Sequence, residues 1–370
     1  MSEIRHDWLS DRWVIFAPER SRRPDEYDRF ASPTPIRRVL CPFCPDNSDQ
    51  TPPPVLTLPS NGENRARVRV VPNRYPALKA IPSGDLIPEP QWVASSAATL
   101  EACRHVSSRP SAAPAACTSA DVLETLFHRR DLVGAHEIVI ETPVHCASLT
   151  QIPLSDLVLV LEAYRSRLLH WRAHHGIQYA VIFKNVGPFA GASLVHAHSQ
   201  LIATSFVPPD VQRVCARLDH FLREQGTGYW TSVVREELSR GDRMVAETDH
   251  FAVFCPFASP LPYSVTLIPK QPQSLFEEMP PRHHEELAEA IYRMLKSIEL
   301  VLYQASYNYV LHTCPFDMQG GGGFQWRLEA FPRLTTQAGF ELGSSCFINP
   351  VMPETAAAEL RRAWRKEDRT

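Results

Sequence analysis

Long hydrophobic runs are missing from this 370-residue chain. None approaches the roughly 20 apolar residues that cross a bilayer, and the opening MSEIRHDWLS is too polar for a secretory leader, so a soluble cytoplasmic protein is expected. An excess of charge of either sign is missing too. With 38 Lys and Arg against 41 Asp and Glu the net charge is −3, which gives no reason to expect a nucleic-acid or membrane-surface partner. An anionic ligand would need basic residues gathered locally. A disulfide framework is the third absence. The nine cysteines are odd in number and scattered, except for CPFC at 41–44, which points to a reducing compartment.

What is present is length enough for two medium domains or one duplicated fold. Proline is frequent, at 33 residues, and clusters in the first 120, where the chain reads as loops and short strands such as RVRVVPN. Residues 92–120 are rich in Ala, Ser and Pro without apolar period, and read as a flexible insertion. More regular segments follow: a strand at HEIVIETP, a helix at PLSDLVLVLEAYRSRLLHWRAHH with Ser155 or Asp156 near its start, and strands at YAVIFKN and HAHSQLIA. The order returns later, with a strand at YSVTLIP, a helix at PPRHHEELAEAIYRMLKSIELVLY, and strands at YNYVLHT and FQWRLEAFP. A slide of 127 residues puts Ile138 on Val265, Ile140 on Leu267 and Pro153 on Pro280. Continued with small gaps, it lays His198 near Glu329 and Gln200 near Phe331. The expected architecture is α+β and duplicated, with antiparallel sheets and helices packed on them, in halves 1–205 and 206–370. Only the first half keeps histidines at the matched strand, so the chemistry is placed there.

In HAHSQLIA the alternation of a strand puts His196, His198 and Gln200 on one face. Two metal ligands, or two satisfied surface histidines, would fit that pattern equally well. CPFC supplies two thiolates at the spacing of half a tetrahedral zinc site, and needs two more ligands. His145 and one histidine of the H-x-H pair are candidates; if His196 closes the tetrahedron, His198 is left over beside it. Ahead of the strand, KNVGPFAGAS carries Gly187, Gly191 and Ser193, a loop whose backbone N–H groups and hydroxyl suit an anion. A neutral imidazole at His198 can attack phosphorus when its other nitrogen is held by a hydrogen bond. Gln200 can donate to a phosphoryl oxygen but cannot act as an acid. That pairing suits a leaving group that departs without a proton, such as a sugar phosphate.

These residues resemble the galactose-1-phosphate uridylyltransferase branch of the histidine-triad superfamily, including the related ADP-glucose phosphorylase. The likeness covers most of the chain apart from 92–120, and rests on DRWVIFAPERSRRP, CPFCPDN, VPNRYPAL, HEIVIETPVH, GASLVHAHSQLIA, YNYVLHTCP and GFELGSSCFINPVMPE. The resemblance implies a two-step exchange in which His198 takes a nucleoside monophosphate from a nucleotide sugar and passes it to a second phosphate. It implies one structural Zn2+ on Cys41, Cys44, His145 and His196, with Gln200, Ser193 and Gly191 at the phosphates and Asn185 nearby. Arg20 and Arg23 match basic residues brought to the phosphate across a homodimer interface, and Asn73 and Tyr75 fall where nucleoside contacts are expected.

The chain also departs from that pattern. Where one branch builds a second metal site from another C-x-x-C, TGYWTSVV at 227–234 has no cysteine, although His250 and His312 remain. Where the other branch has a histidine pair, this chain has RLEA at 327–330, so a second metal is not expected. The leading expectation is uridylyl transfer between UDP-glucose and a hexose 1-phosphate in galactose metabolism. The serine of HAHSQ and the FELGSSCFINP tail lean toward ADP-glucose phosphorylase. Two other readings stand beside these: a nucleotide hydrolase, disfavoured by Gln200 where a third histidine is needed, and a zinc-binding module in which both histidines are ligands.

Overall fold

The computed structural model describes residues 3–18, 41–59, 66–80, 133–303, 305–318 and 323–367; Arg20, Arg23 and the 92–120 segment lie outside the described residues. The strands are β1 (Glu3–Asp7), β2 (Arg12–Phe16), β3 (Leu56–Leu58), β4 (Val68–Pro72), β5 (Lys79–Ala80), β6 (Val133–Ile140), β7 (Tyr179–Val186) and β8 (His198–Thr204), then β9 (Met244–Glu247), β10 (Phe251–Phe254), β11 (Val265–Pro269), β12 (Tyr307–His312), β13 (Arg327–Pro332) and β14 (Phe347–Asn349). The main helices are α1 (Leu154–Arg172), α2 (Pro209–Gln225), α3 (Tyr229–Arg240), α4 (His284–Val301), α5 (Gly339–Ser344) and α6 (Pro353–Glu367).

Eleven strands form one sheet in the order β3-β4-β6-β8-β7-β12-β13-β11-β10-β9, with β5 alongside β6. Every pairing in it is antiparallel except β5 with β6. Outward from the centre, β7-β8-β6-β4 on one side matches β12-β13-β11-β10 on the other, and in each set a helix joins the second strand in the chain to the third. The repeat is therefore structural. Its seam is β7 against β12, where Asn185 lies opposite Asn308 and Lys184 opposite Tyr309. A smaller sheet, β1-β2-β14, ties the start of the chain to residues 347–349.

The register corrects the 127-residue slide. Val139 shares the helix-covered core with Val265 and Leu267, whereas Ile138 and Ile140 point to the other face, beside Phe43. Because side chains alternate along a strand, a slip of one residue exchanges faces. The structural offset on this strand is even, 126 if His198 is matched with Glu329, since His198 pairs with Ile140 and Glu329 with Thr266.

One face of the sheet carries α1, α4 and α6. In α1 the buried residues Leu157, Val160, Leu161, Tyr164 and Leu168 recur at steps of three and four, the stripe that an amphipathic helix turns to a core. Leu287, Ile291, Met294, Leu295 and Ile298 do the same in α4. Cutting any of these leucines back to alanine should cost about 2–5 kcal/mol. A bidentate ion pair locks α1 to β6: Arg167 donates from Nε and Nη2 to Glu137 at 2.9 and 2.6 Å, and Trp171 Nε1 adds a third bond at 3.1 Å. The opposite face holds two separate clusters. Cys41, Phe43, Cys44, Val71, Ile138 and Ile140 cover it on the first half; the helix pair α2–α3 packs Cys215, Leu218, Trp230 and Val234 onto Ala252, Phe254 and Ile268 on the second.

Candidate active site and metal centre

The strand expected over residues 196–203 starts at His198. His196 precedes it, in a backbone segment where Ala197 N donates to Cys146 O and Ala197 O accepts from Glu141 N. That short detour turns His196 toward the CPFC turn while His198 enters the sheet.

Four residues meet there. Cys44 Sγ lies 3.3 Å from His145 Nδ1 and 3.6 Å from His196 Nδ1, and Cys41 Sγ is 3.6 Å from the same His196 nitrogen. The four donor atoms all fall within 4.8 Å of one another. A tetrahedral ion with metal–sulfur bonds of about 2.3 Å and metal–nitrogen bonds of about 2.05 Å has sulfur–nitrogen edges of about 3.6 Å. The residues present thus fit a metal. His196 is also oriented for it. Its Nε2–H donates to Thr142 O at 2.8 Å, which leaves the Nδ1 lone pair facing the thiolates, and burial pushes the imidazole down to about 4 so that it is neutral.

His198 is buried next to this cluster but outside it. Its Nδ1–H donates to His196 O at 2.7 Å, so the proton sits on Nδ1 and Nε2 carries the free lone pair. Burial, then the charge of Lys184, pushes His198 down to about 4. The edge of Phe43 packs against it at 5.1 Å between ring centroids. On the far face of the sheet, Lys184 Nζ donates to His198 O at 3.0 Å and forms an ion pair with Glu141, both side chains being fully buried. Glu141 also accepts from Tyr164 OH at 3.3 Å, and Tyr164 OH reaches Ser199 Oγ at 2.7 Å. The start of β8 is therefore clamped from behind by a buried charge pair and its hydroxyl neighbours.

The other candidate residues fall around His198 in an ordered way. Phe183 lies opposite Gln200, so continuing the register brings Asn185 opposite His198. Gln200 Oε1 accepts from His136 Nε2 at 2.8 Å, and Asn185 Oδ1 accepts from Asn308 Nδ2 at 2.8 Å. Gly187 adopts φ +80, and a Cβ there would strike Ser306 Oγ of the second half at 2.2 Å. Gly191 adopts φ +81 with nothing within 4 Å of where a Cβ would stand, so its requirement is conformational and the space above it is open. Gly191 and Ser193 are both exposed. Asn73 is spent largely on scaffolding: its N–H donates to His136 O and its Oδ1 accepts from Tyr75 N. Tyr75 itself is 81% exposed. A cleft of about 700 Å³ lined by Arg67, Arg69, Ile140 and Thr142 borders the metal-type cluster, with Arg69 directly across β6 from His198 through Ile140.

Sequence reasoning missed His136, Asn308, Lys184 and Glu141. A period-2 reading could have found His136, which stands two residues before Ile138 on the same face of β6. Nothing local marks Asn308 or Lys184, whose partners come from strands far away in the chain.

Comparison with known proteins follows the same lines. The family described as galactose-1-phosphate uridyl transferase, N-terminal domain, matches residues 105–208. ADP-glucose phosphorylase of Arabidopsis thaliana is 30% identical over 362 residues, covering 97% of this chain and 92% of that protein. Galactose-1-phosphate uridylyltransferase of Thermotoga maritima is 26% identical over 369 residues, covering 98% of each. Among solved structures, that of an ADP-glucose phosphorylase from Arabidopsis thaliana with bound ADP-glucose superposes with a TM-score of 0.76 at 28% identity, over 98% of this chain and 99% of the other. A uridylyltransferase structure at 24% identity superposes with a TM-score of 0.69 over 99% of both chains, a likeness of fold.

Proposed function

Since the chain belongs to the galactose-1-phosphate uridylyltransferase family, in which ADP-glucose phosphorylase also falls, we propose that it transfers a nucleoside monophosphate from a nucleoside diphosphate sugar through a covalent intermediate on His198. The observation that carries this reading is the division of labour between the two histidines. His196 is turned to the thiolates, and His198 keeps an Nε2 lone pair with its Nδ1–H anchored on a backbone carbonyl.

In the first step the His198 Nε2 lone pair forms a bond to the α-phosphorus and the bond from that phosphorus to the bridging oxygen breaks. Hexose 1-phosphate leaves with the electron pair and needs no proton. The imidazole becomes cationic while bonded to phosphorus, and its Nδ1–H bond to His196 O strengthens as that charge appears. In the second step an acceptor phosphate oxygen attacks the same phosphorus, the phosphorus–nitrogen bond breaks, and neutral His198 returns. Gln200, Asn185 and Ser193 donate to the phosphoryl oxygens, with Gly191 leaving the approach open. Arg20 and Arg23 bring positive charge to the phosphates from a second copy of the chain. Asn73 and Tyr75 border the nucleoside. Cys41, Cys44, His145 and His196 would hold Zn2+, which would serve structurally by tying the CPFC turn to the segment that leads into the His198 strand.

For the base, adenine is supported by the higher identity to ADP-glucose phosphorylase, 30% against 26% for the Thermotoga maritima uridylyltransferase, and by the tail noted in the sequence. Uridylyl transfer in galactose metabolism is the second reading, supported by the family match over residues 105–208. Intact mass after brief incubation with ADP-glucose, and separately with UDP-glucose, without acceptor, tests both. An adenylyl adduct supports the first, a uridylyl adduct the second, and no adduct with either overturns the covalent reading.

A further inference from the structure

Both amide side chains beside His198 are held by their oxygen ends. Gln200 Oε1 accepts from His136 Nε2 at 2.8 Å. The tautomer of His136 is set by the backbone, since Ala77 N–H donates to Nδ1 at 3.3 Å; Asn73 Nδ2 lies 3.1 Å from Nε2 and 3.4 Å from Nδ1, and with Nε2 protonated it can donate only to Nδ1. Nδ1 is then an acceptor, Nε2 carries the proton, and Gln200 can only present its oxygen to it. Across β8, Asn308 Nδ2 donates to Asn185 Oδ1 at 2.8 Å and to Ala190 O at 2.8 Å. Asn308 belongs to the second half of the repeat, and this bond crosses the seam between β7 and β12.

A primary amide has an acceptor end and a donor end. When the oxygen is tied back, the NH2 group is the end left for a ligand. The reversed amide would offer a carbonyl lone pair to an anionic phosphoryl oxygen, which is repulsive. We propose that His136 and Asn308 are positioning residues that fix the Gln200 and Asn185 amides with their N–H donors toward the phosphoryl group under attack by His198. Asn308 fixes the glycine loop as well, through Ala190 O. The second half of the repeat thus contributes to the reaction without touching substrate.

This inference rests on the nucleotidyl-transfer reading, and one experiment separates the two. Adduct formation is followed by rapid-quench intact mass, recording the rate at saturating donor and the endpoint in nucleotidyl groups per chain. Asn308→Asp keeps the shape but replaces the donor with an acceptor-only carboxylate, which should turn the Asn185 amide around. The expected result is a rate about 10–100-fold lower with the endpoint unchanged. His136→Leu should slow the step by a similar factor, and His136→Gln, whose amide can donate in place of Nε2, should recover most of the rate. A lower endpoint with an unaltered rate in these variants would mean that they only reduce the folded fraction, and would overturn the positioning role. Wild-type rates in Asn308→Asp and His136→Leu would overturn it too. Failure of the wild-type protein to form any adduct overturns the transfer reading and this inference together.

Discussion

The two halves of the repeat use the same face of the same sheet for different ends. On the first half, β8 presents His198 and Gln200, and the covering layer is the small cluster around CPFC, which leaves Gln200 part-exposed. On the second half, β13 presents Arg327, Glu329 and Phe331 at the matching positions, and the α2–α3 pair packs over the neighbouring strands. There Arg327 Nε donates to Glu329 Oε1 at 2.9 Å, His312 Nε2 lies 2.9 Å from Glu329 Oε2, and the Arg327 guanidinium stacks over Trp230 at 4.7 Å. Glu329 is thus flanked by two basic side chains, while Arg327 Nη1 and Trp230 Nε1 are buried without a hydrogen-bond partner among the described residues. In the first half the Gln200 and Asn185 amides are bonded at their oxygen ends, to His136 and Asn308. Where the first half carries His198 and Gln200, the matched strand of the second half carries an Arg327–Glu329–His312 charge cluster with Arg327 against Trp230.

The largest effect that sharpens this contrast is expected at the two histidines. His198→Ala should lower transfer by at least about 10⁴-fold, in the range seen when a nucleophile is removed, while metal content by atomic spectroscopy stays at the wild-type level. His196→Ala should lose the metal. Equal metal loss in both variants would return His198 to the ligand set and remove the distinction between the halves.

Next in size is the clamp beneath β8. Removing one member of a buried ion pair leaves an uncompensated charge and typically costs about 3–5 kcal/mol, so Lys184→Met should lower unfolding stability in denaturant by that amount. Lys184→Met with Glu141→Gln should recover a good part of it, because no buried charge remains. An unaltered stability in Lys184→Met would show that the pair does not hold the strand.

Much of this arrangement was legible in the sequence, and the reasons differ by element. The helices α1 and α4 were readable because each buries a stripe at steps of three and four, the strands β7, β8, β12 and β13 because two-residue alternation survives in them, and β6 because it carries a short apolar, β-branched run. The CPFC turn and the histidine pair were readable because ligand spacing is local. The exact repeat offset was not. Apolar residues stand on both faces of β6, Val139 toward the helices and Ile138 and Ile140 toward Phe43, so hydrophobicity alone could not fix the parity. Nor could the sequence reveal that Gln200 leans on His136 or that Asn185 leans on Asn308. Those bonds depend on strand order, with β12 meeting β7 across 123 residues of chain.

The smallest expected effect tests whether the second half's cluster is purely structural. Glu329 is buried, which raises its pKa, yet Arg327 and His312 hold its carboxyl well below the usual carboxylate range. A carboxylate with a depressed folded pKa contributes stability that is present above its unfolded pKa, near 4.3, and is lost as the pH falls toward its folded value. Glu329→Gln should therefore lower the thermal midpoint at pH 7, and the gap to wild type should narrow as the pH drops below about 4. Adduct formation at His198 should stay within about twofold, since the hydrogen bonds of Glu329 run to Arg327 and His312 and not toward the nucleophile. A tenfold slower adduct in Glu329→Gln, with the folded fraction unaltered, would show that the second half acts on the reaction through this cluster and not only through Asn308 at the seam.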